Sequence, residues 1–286
     1  MSGLLAASYR FCQDVSRREA KNFYYSFLLL PPERRRAMCA LYAYMRRTDD
    51  LADEPGEAGA KARTLDRWAA AVDDAIAGRA ASPEWPELPA LADTVNRHAI
   101  PPQHLREVLD GVRLDLTPRS IATFDELYGY CYLVASAVGL CCIRIWGYRS
   151  DSGEAERRAE ACGIALQLTN ILRDVREDAL NGRVYLPAED LDRFGVRPED
   201  LTRDAPVEPL RRLLAFEAER AGGYYREARP LVGLVEPAGR PVLRTITGIY
   251  GRLLDEIIRR DFDVLSRRVR LPAWTKAAIA VRALVG

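Results

Sequence analysis

From Ser152 to Ala179 the chain carries no proline, and apolar residues surround a narrow row of polar ones. Gln167, Asn170, Asp174 and Asp178 are spaced three, four and four apart. At about 100° per residue they share one helical face roughly 80° wide. Ile164, Leu166, Leu168, Ile171 and Leu172 flank the two amides. Uncharged amides inside an apolar helix need a specific partner. The segment therefore reads as a core helix with one polar stripe at the mouth of a buried cavity, and it calls for other helices to cover it.

The remaining sequence supplies them. Pro31-Pro32 opens a helix over Glu33–Glu54 that Pro55-Gly56 stops, and a second covers about 60–77. Ala80–Pro89, with three prolines, reads as a loop. Pro101-Pro102 opens a helix to about Leu116, and Thr123 with Asp125 and Glu126 starts one that ends near Trp146. Arg183–Pro187 reads as a loop, Glu208–Val232 and Pro241–Arg268 as helices, and Trp274–Val285 as a short amphipathic one. Alternating strand patterns are scarce. No linker or repeat divides the chain, so the expectation is one all-α domain over residues 1–286.

A second polar stripe lies on Glu33–Glu54. Tyr42, Arg46, Asp49 and Asp53 fall within about 60° of one another, with Asp50 at the edge. Carboxylates one helical turn apart repel unless a cation sits between them. Oxygen ligands of this kind suit Mg²⁺, which takes one or two carboxylates together with waters and phosphate oxygens. Arg46 and Arg173 stand beside the carboxylates and could bind phosphate. Two such stripes facing each other would hold a diphosphate through bridging metals.

The charge balance, 42 basic against 41 acidic residues, gives no global field and so no expectation of nucleic acid. Cys12, Cys39, Cys131, Cys141, Cys142 and Cys162 form no C-x-x-C pair, and with two histidines a zinc site is not expected. The cysteines read as buried thiols in a reducing compartment. No signal peptide is expected, and no run reads as the roughly 20 apolar residues of a spanning helix. The expected location is cytoplasmic, with peripheral contact at the inner membrane. Trp274, Ile279, Val281, Leu284 and Val285 beside Lys276 and Arg282 suggest weak peripheral contact with lipid.

These motifs resemble those of the squalene/phytoene synthase family. Asp49-Asp50-Leu51-Ala52-Asp53 resembles its first aspartate-rich motif, and Gln167 through Asp178 to Tyr185-Leu186-Pro187 its second with the following tyrosine loop. Lys21-Asn22-Phe23 resembles its N-terminal substrate segment, and Tyr250 with Arg267-Arg268-Val269 its C-terminal helix. The resemblance spans about residues 8–276. It implies an isoprenoid synthase fold, helices around a deep central cavity. By position it implies a Mg²⁺ cluster on Asp49, Asp53, Asn170, Asp174 and Asp178, with Gln167 in support. Lys21, Arg46, Arg173, Arg183, Arg267 and Lys276 would contact diphosphate, and Phe23, Tyr42, Tyr185 and Tyr250 would line the cavity.

The reaction so implied joins two prenyl diphosphates head to head with loss of diphosphate. The motif blocks most resemble presqualene diphosphate synthases of the hopanoid route, which act on farnesyl diphosphate without NADPH. The alternatives are a phytoene synthase acting on geranylgeranyl diphosphate for carotenoids, a complete squalene synthase using NADPH, and a non-catalytic helical subunit. Downstream isoprenoid enzymes are conceivable partners.

Overall fold

The computed structural model describes residues 3–20, 24, 26–79, 83–117, 120–149 and 152–285, the side chain of Val285 apart. Lys21 and Phe23 lie outside the described residues. In chain order the helices are α1 Gly3–Glu19, α2 Pro32–Asp53, α3 Ala58–Ile76, α4 Leu88–Arg97, α5 Pro102–Leu114 and α6 Phe124–Cys131. A π-helical turn, Tyr132–Ser136, then runs into α7 Ala137–Trp146. There follow α8 Glu154–Leu180, α9 Ala188–Phe194, a 3₁₀ turn Pro198–Thr202, α10 Glu208–Ala228, α11 Leu231–Leu234, α12 Arg240–Arg259 and α13 Ala273–Val285. Among the described residues there is no strand, only the isolated bridges Ser120–Val184 and Tyr148–Val235. The protein is all-α, as expected.

Local chemistry sets the boundaries. Prolines sit in the first turn of α2, α4, α5, α10 and α12, where a missing N–H is harmless. Thr123 caps α6 by accepting from the Glu126 N–H at 3.3 Å, and Glu126 accepts in turn from the Ala122 N–H at 2.9 Å. Gly147, at φ 77°, ends α7, and a side chain there would collide with Glu236.

Four sequence expectations need correction. The helix read over Pro241–Arg268 stops at Arg259, because Asp261 and Phe262 take left-handed conformations (φ 51° and 58°). No glycine or proline marks that stop. Arg211 holds it from across the fold by donating to the Asp261 carboxylate at 2.8 Å. Pro230, which lacks an N–H, divides Glu208–Val232 into α10 and α11. The proline-rich loop ends earlier than read, since Pro89 sits inside the first turn of α4. Finally, Phe124–Trp146 is long and apolar enough to cross a membrane, contrary to the reading that no run approaches that length. Over half of its most apolar stretch is buried against the other helices, as befits a core helix.

Helix α8 organises the core. Its first half (Ala159, Cys162) packs in a cluster with Leu41 and Tyr44 of α2, Trp68 of α3 and Ile143 of α7. Its second half (Leu168, Leu172) packs with Leu213 of α10 and Leu254 of α12. Two glycines permit close approach to the π turn. A Cβ on Gly163 would stand 2.5 Å from the Ser136 Cα, and one on Gly111 2.8 Å from the Val134 Cγ1. The π turn is thus gripped between α5 and α8.

Candidate active site

Both acidic stripes end at helix C-termini. Asp49, Asp50 and Asp53 close α2, and Asp174, Glu177 and Asp178 close α8, with no basic residue in either last turn. This inverts the usual arrangement, since the C-terminal end of the helix dipole is negative and favours cations. Burial adds to the effect. Asp49 is open to solvent on one side, but the protein crowded around its carboxyl, and then Asp53, Asp50 and Asp115, push it up to about 6, with Arg46 opposing. The Asp178 carboxyl is pushed up to about 7 by burial and then by Asp174 and Glu177, with Arg183 and Arg173 opposing.

Three cavities lie about these helices, and of them the third is lined by carboxylates. The first is an apolar well of about 290 Å³ between α2, the π turn, α7, α8 and α12. Tyr42, Gln167, Asn170 and Tyr250 line it, and Met38, Trp146, Ala159 and Leu231 lie toward its far end. The second, about 580 Å³, shares Ile246 and Tyr250 with the first and presents Arg173, Arg268, Arg270 and Lys276. Burial and then the neighbouring Arg173 and Arg270 push the Lys276 ammonium below its usual range. The third, about 320 Å³, is bounded by Asp53 and Lys61 on one side and by Asp115, Asn181 and Arg183 on the other. It brings the end of the first acidic stripe opposite the chain that follows the second.

Side-chain contacts link these walls. Arg46 pairs with Asp50 at 2.5 Å. Asp174 is held by Arg173 (Nε to Oδ1, 2.8 Å) and by Arg268 (Nη2 to Oδ2, 2.9 Å), and Arg268 also reaches Glu177 at 2.9 Å. The family resemblance implies Arg267 at this corner, but Arg267 is exposed. The irregular chain after α12 shifts the register, so Arg268 is the residue that turns inward. Tyr185 does not line the apolar well as expected. Its hydroxyl donates to Asp115 Oδ1 at 3.0 Å and its ring stacks on Tyr130 at 5.0 Å. Tyr130 donates to Asp115 Oδ2 at 2.9 Å, and Arg183 donates to the Asp115 carbonyl at 3.2 Å. Asp115 belongs to neither acidic motif and caps the C-terminus of α5, so periodicity gave no sign of it.

The donor set suits a hard divalent cation. The Asn170 Oδ1 is buried without a hydrogen-bond partner, on the same face as Asp174 and Asp178. Among the described residues no three Asp, Glu, His or Cys side chains converge closely enough to enclose an ion by themselves. Mg²⁺ does not require such a cage, because it keeps waters and takes substrate phosphate oxygens beside one or two carboxylates.

An apolar well, an acidic rim and a cationic cavity on one helical bundle define an enzyme class that binds a long apolar chain by an anionic head. Residues 16–275 match the squalene/phytoene synthase family, and the chain belongs to it. It is thereby an enzyme of the prenyltransferase class, of the head-to-head condensing kind. Phytoene synthase 2 of Solanum lycopersicum is similar, 40% identical over 93% of this chain and 86% of its own. The 15-cis-phytoene synthase of Synechococcus elongatus is 37% identical over 95% and 91%. Among solved structures, a dehydrosqualene synthase in complex with ligand has a TM-score of 0.87 at 27% identity, covering 98% of this chain and 96% of that one. A squalene synthase from Alicyclobacillus acidocaldarius has a TM-score of 0.84 at 28% identity, covering 92% and 97%.

Proposed function

We propose that the chain condenses two geranylgeranyl diphosphates head to head to phytoene, releasing both diphosphates. The carrying observation is the 37–40% identity, over more than nine-tenths of the chain, to proteins named phytoene synthases. This displaces the farnesyl-specific reading favoured from the motifs alone. The well favours it too. Eleven residues of α8 separate Asn170 from Ala159, about 16 Å of helix rise. At about 1.2 Å per bond, the sixteen-carbon main chain of a geranylgeranyl group extends about 18 Å and the twelve-carbon farnesyl chain about 13 Å. The shorter chain would leave the space around Trp146 and Ala159 unfilled.

Each wall then has a task. The well holds a prenyl tail and excludes water from the reacting carbons. Arg173, Arg268, Arg270 and Lys276 bind a diphosphate in the cationic cavity, and Arg46 and Arg183 serve the rim. Asp49 and Asp53 on one side, with Asn170, Asp174 and Asp178 on the other, are the oxygens that would hold Mg²⁺. Bound there, Mg²⁺ supplies positive charge that draws electron density from a departing diphosphate. The C–O bond of one substrate breaks with its electron pair leaving on diphosphate. The double bond of the second substrate attacks the cation, and loss of a proton closes a cyclopropane. A second departure of diphosphate, rearrangement and proton loss complete phytoene, so no reductant is needed. Tyr42 and Tyr250 face the reacting end of the well from opposite helices.

The test supplies geranylgeranyl and farnesyl diphosphates separately with Mg²⁺, each with and without NADPH. Phytoene should form with a kcat/KM at least roughly tenfold above any farnesyl reaction. Presqualene diphosphate as the dominant product would restore the farnesyl reading, which the similarity to dehydrosqualene and squalene synthases supports. No product from either substrate would leave the non-catalytic subunit.

A further inference from the structure

We propose that the outward face of α13 docks on an anionic lipid surface. A surface helix ordinarily turns one apolar stripe inward and a polar face to water. Helix α13 does not. Its inner face packs on α12, where Ile279 lies so close to Gly248 that a Cβ there would be 2.8 Å from Ile279 Cγ2, and where Ala283 is buried. Lys276, on that same inner side, lines the cationic cavity. The opposite face carries Trp274, Ala277, Ala278, Val281 and Leu284, which fall within about 120° of arc at 100° per residue. Its charged residue is Arg282, at the flank. Trp274 is 74% exposed, and Val281 and Leu284 are each more than half exposed. A helix apolar on both sides calls for cover on the second.

Charge selects the occupant. After Asp263 the chain has no acidic residue, yet it carries Arg267, Arg268, Arg270, Lys276 and Arg282. The whole chain, by contrast, is nearly balanced. Arg268, Arg270 and Lys276 line the cationic cavity, and Arg267 and Arg282 are exposed outside it. An apolar face with an aromatic at one end and Arg282 at its flank, in a segment without a carboxylate side chain, is complementary to a bilayer with anionic headgroups. A second copy on the same face would bring like charges together. Docking there would set the cationic cavity directly behind the membrane-facing helix.

Tryptophan fluorescence reads the contact selectively, because Trp68, Trp85 and Trp146 are buried. The probes are vesicles of phosphatidylcholine alone and of phosphatidylcholine with phosphatidylglycerol. With the mixed vesicles, acrylamide quenching of the accessible fraction should fall and emission should shift to the blue. High salt should reverse both, and Trp274→Phe should remove the signal. Val281→Ser with Leu284→Ser should weaken co-sedimentation roughly tenfold or more, with unchanged Tm and turnover. Trp274 equally quenched with and without mixed vesicles would overturn the proposal. So would co-sedimentation of the double variant at wild-type affinity. Shielding of Trp274 that follows protein concentration without lipid would assign the face to a second copy and overturn it as well.

Discussion

Among the rim carboxylates, Asp49 and Asp178 are held well above the usual range, and this gives them a measurable signature. In the folded protein they hold protons up to about pH 6 and 7, whereas an ordinary Asp titrates near 3.8. Between these limits the unfolded chain binds fewer protons than the native one, so native stability falls as pH rises. The stabilising contribution is complete below about pH 4 and lost as pH passes through 6 to 7. EDTA-treated protein should therefore be less stable to urea at pH 8 than at pH 5. Asp178→Asn should raise its stability at pH 8 by on the order of 1 kcal/mol, after allowance for partial exposure. The same substitution should lower turnover at least roughly 10²-fold, since a metal at a leaving group contributes several kcal/mol. An Asp178→Asn protein of unchanged stability and turnover would remove this pairing. Asp115 acts through others. It fixes the Tyr185 hydroxyl and Tyr130 from one side and adds to the Asp49 field from the other. Asp115→Asn keeps the shape but removes the charge, so the acidic limb of the pH–rate profile should move to lower pH. Tyr185→Phe should leave that limb in place.

At the scale of elements, the π turn and the floor of the well decide what the site can hold. The extra residue in Tyr132–Ser136 accompanies the turning of Val134 and Ala135 into the well, and Gly163 gives the turn room against α8. Gly163→Ala would force a backbone contact rather than displace a flexible side chain. It should destabilise by roughly 1–3 kcal/mol, read as a drop in thermal midpoint. Farther down, Ala159 lies where the longer prenyl chain would end. Ala159→Phe should shorten the well and shift the ratio of kcat/KM from geranylgeranyl toward farnesyl diphosphate by roughly 10- to 100-fold. An unchanged ratio would place the chain terminus elsewhere. The break after α12 belongs at this scale too. No glycine or proline stands there to announce a stop, and a left-handed pair, Asp261 held by Arg211 and Phe262, ends the helix all the same.

For the molecule as a whole, the proposed reaction makes the acidic rim and the cationic cavity two halves of one receptor. Mg²⁺ alone does nothing to neutralise Arg270 and Lys276 of the second cavity, and diphosphate alone faces the rim carboxylates. Together they should raise the thermal midpoint more than the two separate shifts added, because each neutralises what opposes the other. Simple additivity would mean that the halves do not communicate. The chain's own sequence determined the helical class, the two acidic stripes and most of their partners. Turn periodicity places Asp49 with Asp53 and Asn170 with Asp178 on single faces whatever the packing around them. Tertiary structure alone decided that Arg268 rather than Arg267 turns inward, that Tyr185 leans on Asp115 at the rim, and that α13 leaves Trp274, Val281 and Leu284 uncovered. Those outcomes depend on an irregular chain path after α12, on a carboxylate brought from α5, and on which face of a helix its neighbours cover. Such relations arise between residues distant in sequence, and local propensity holds no record of them.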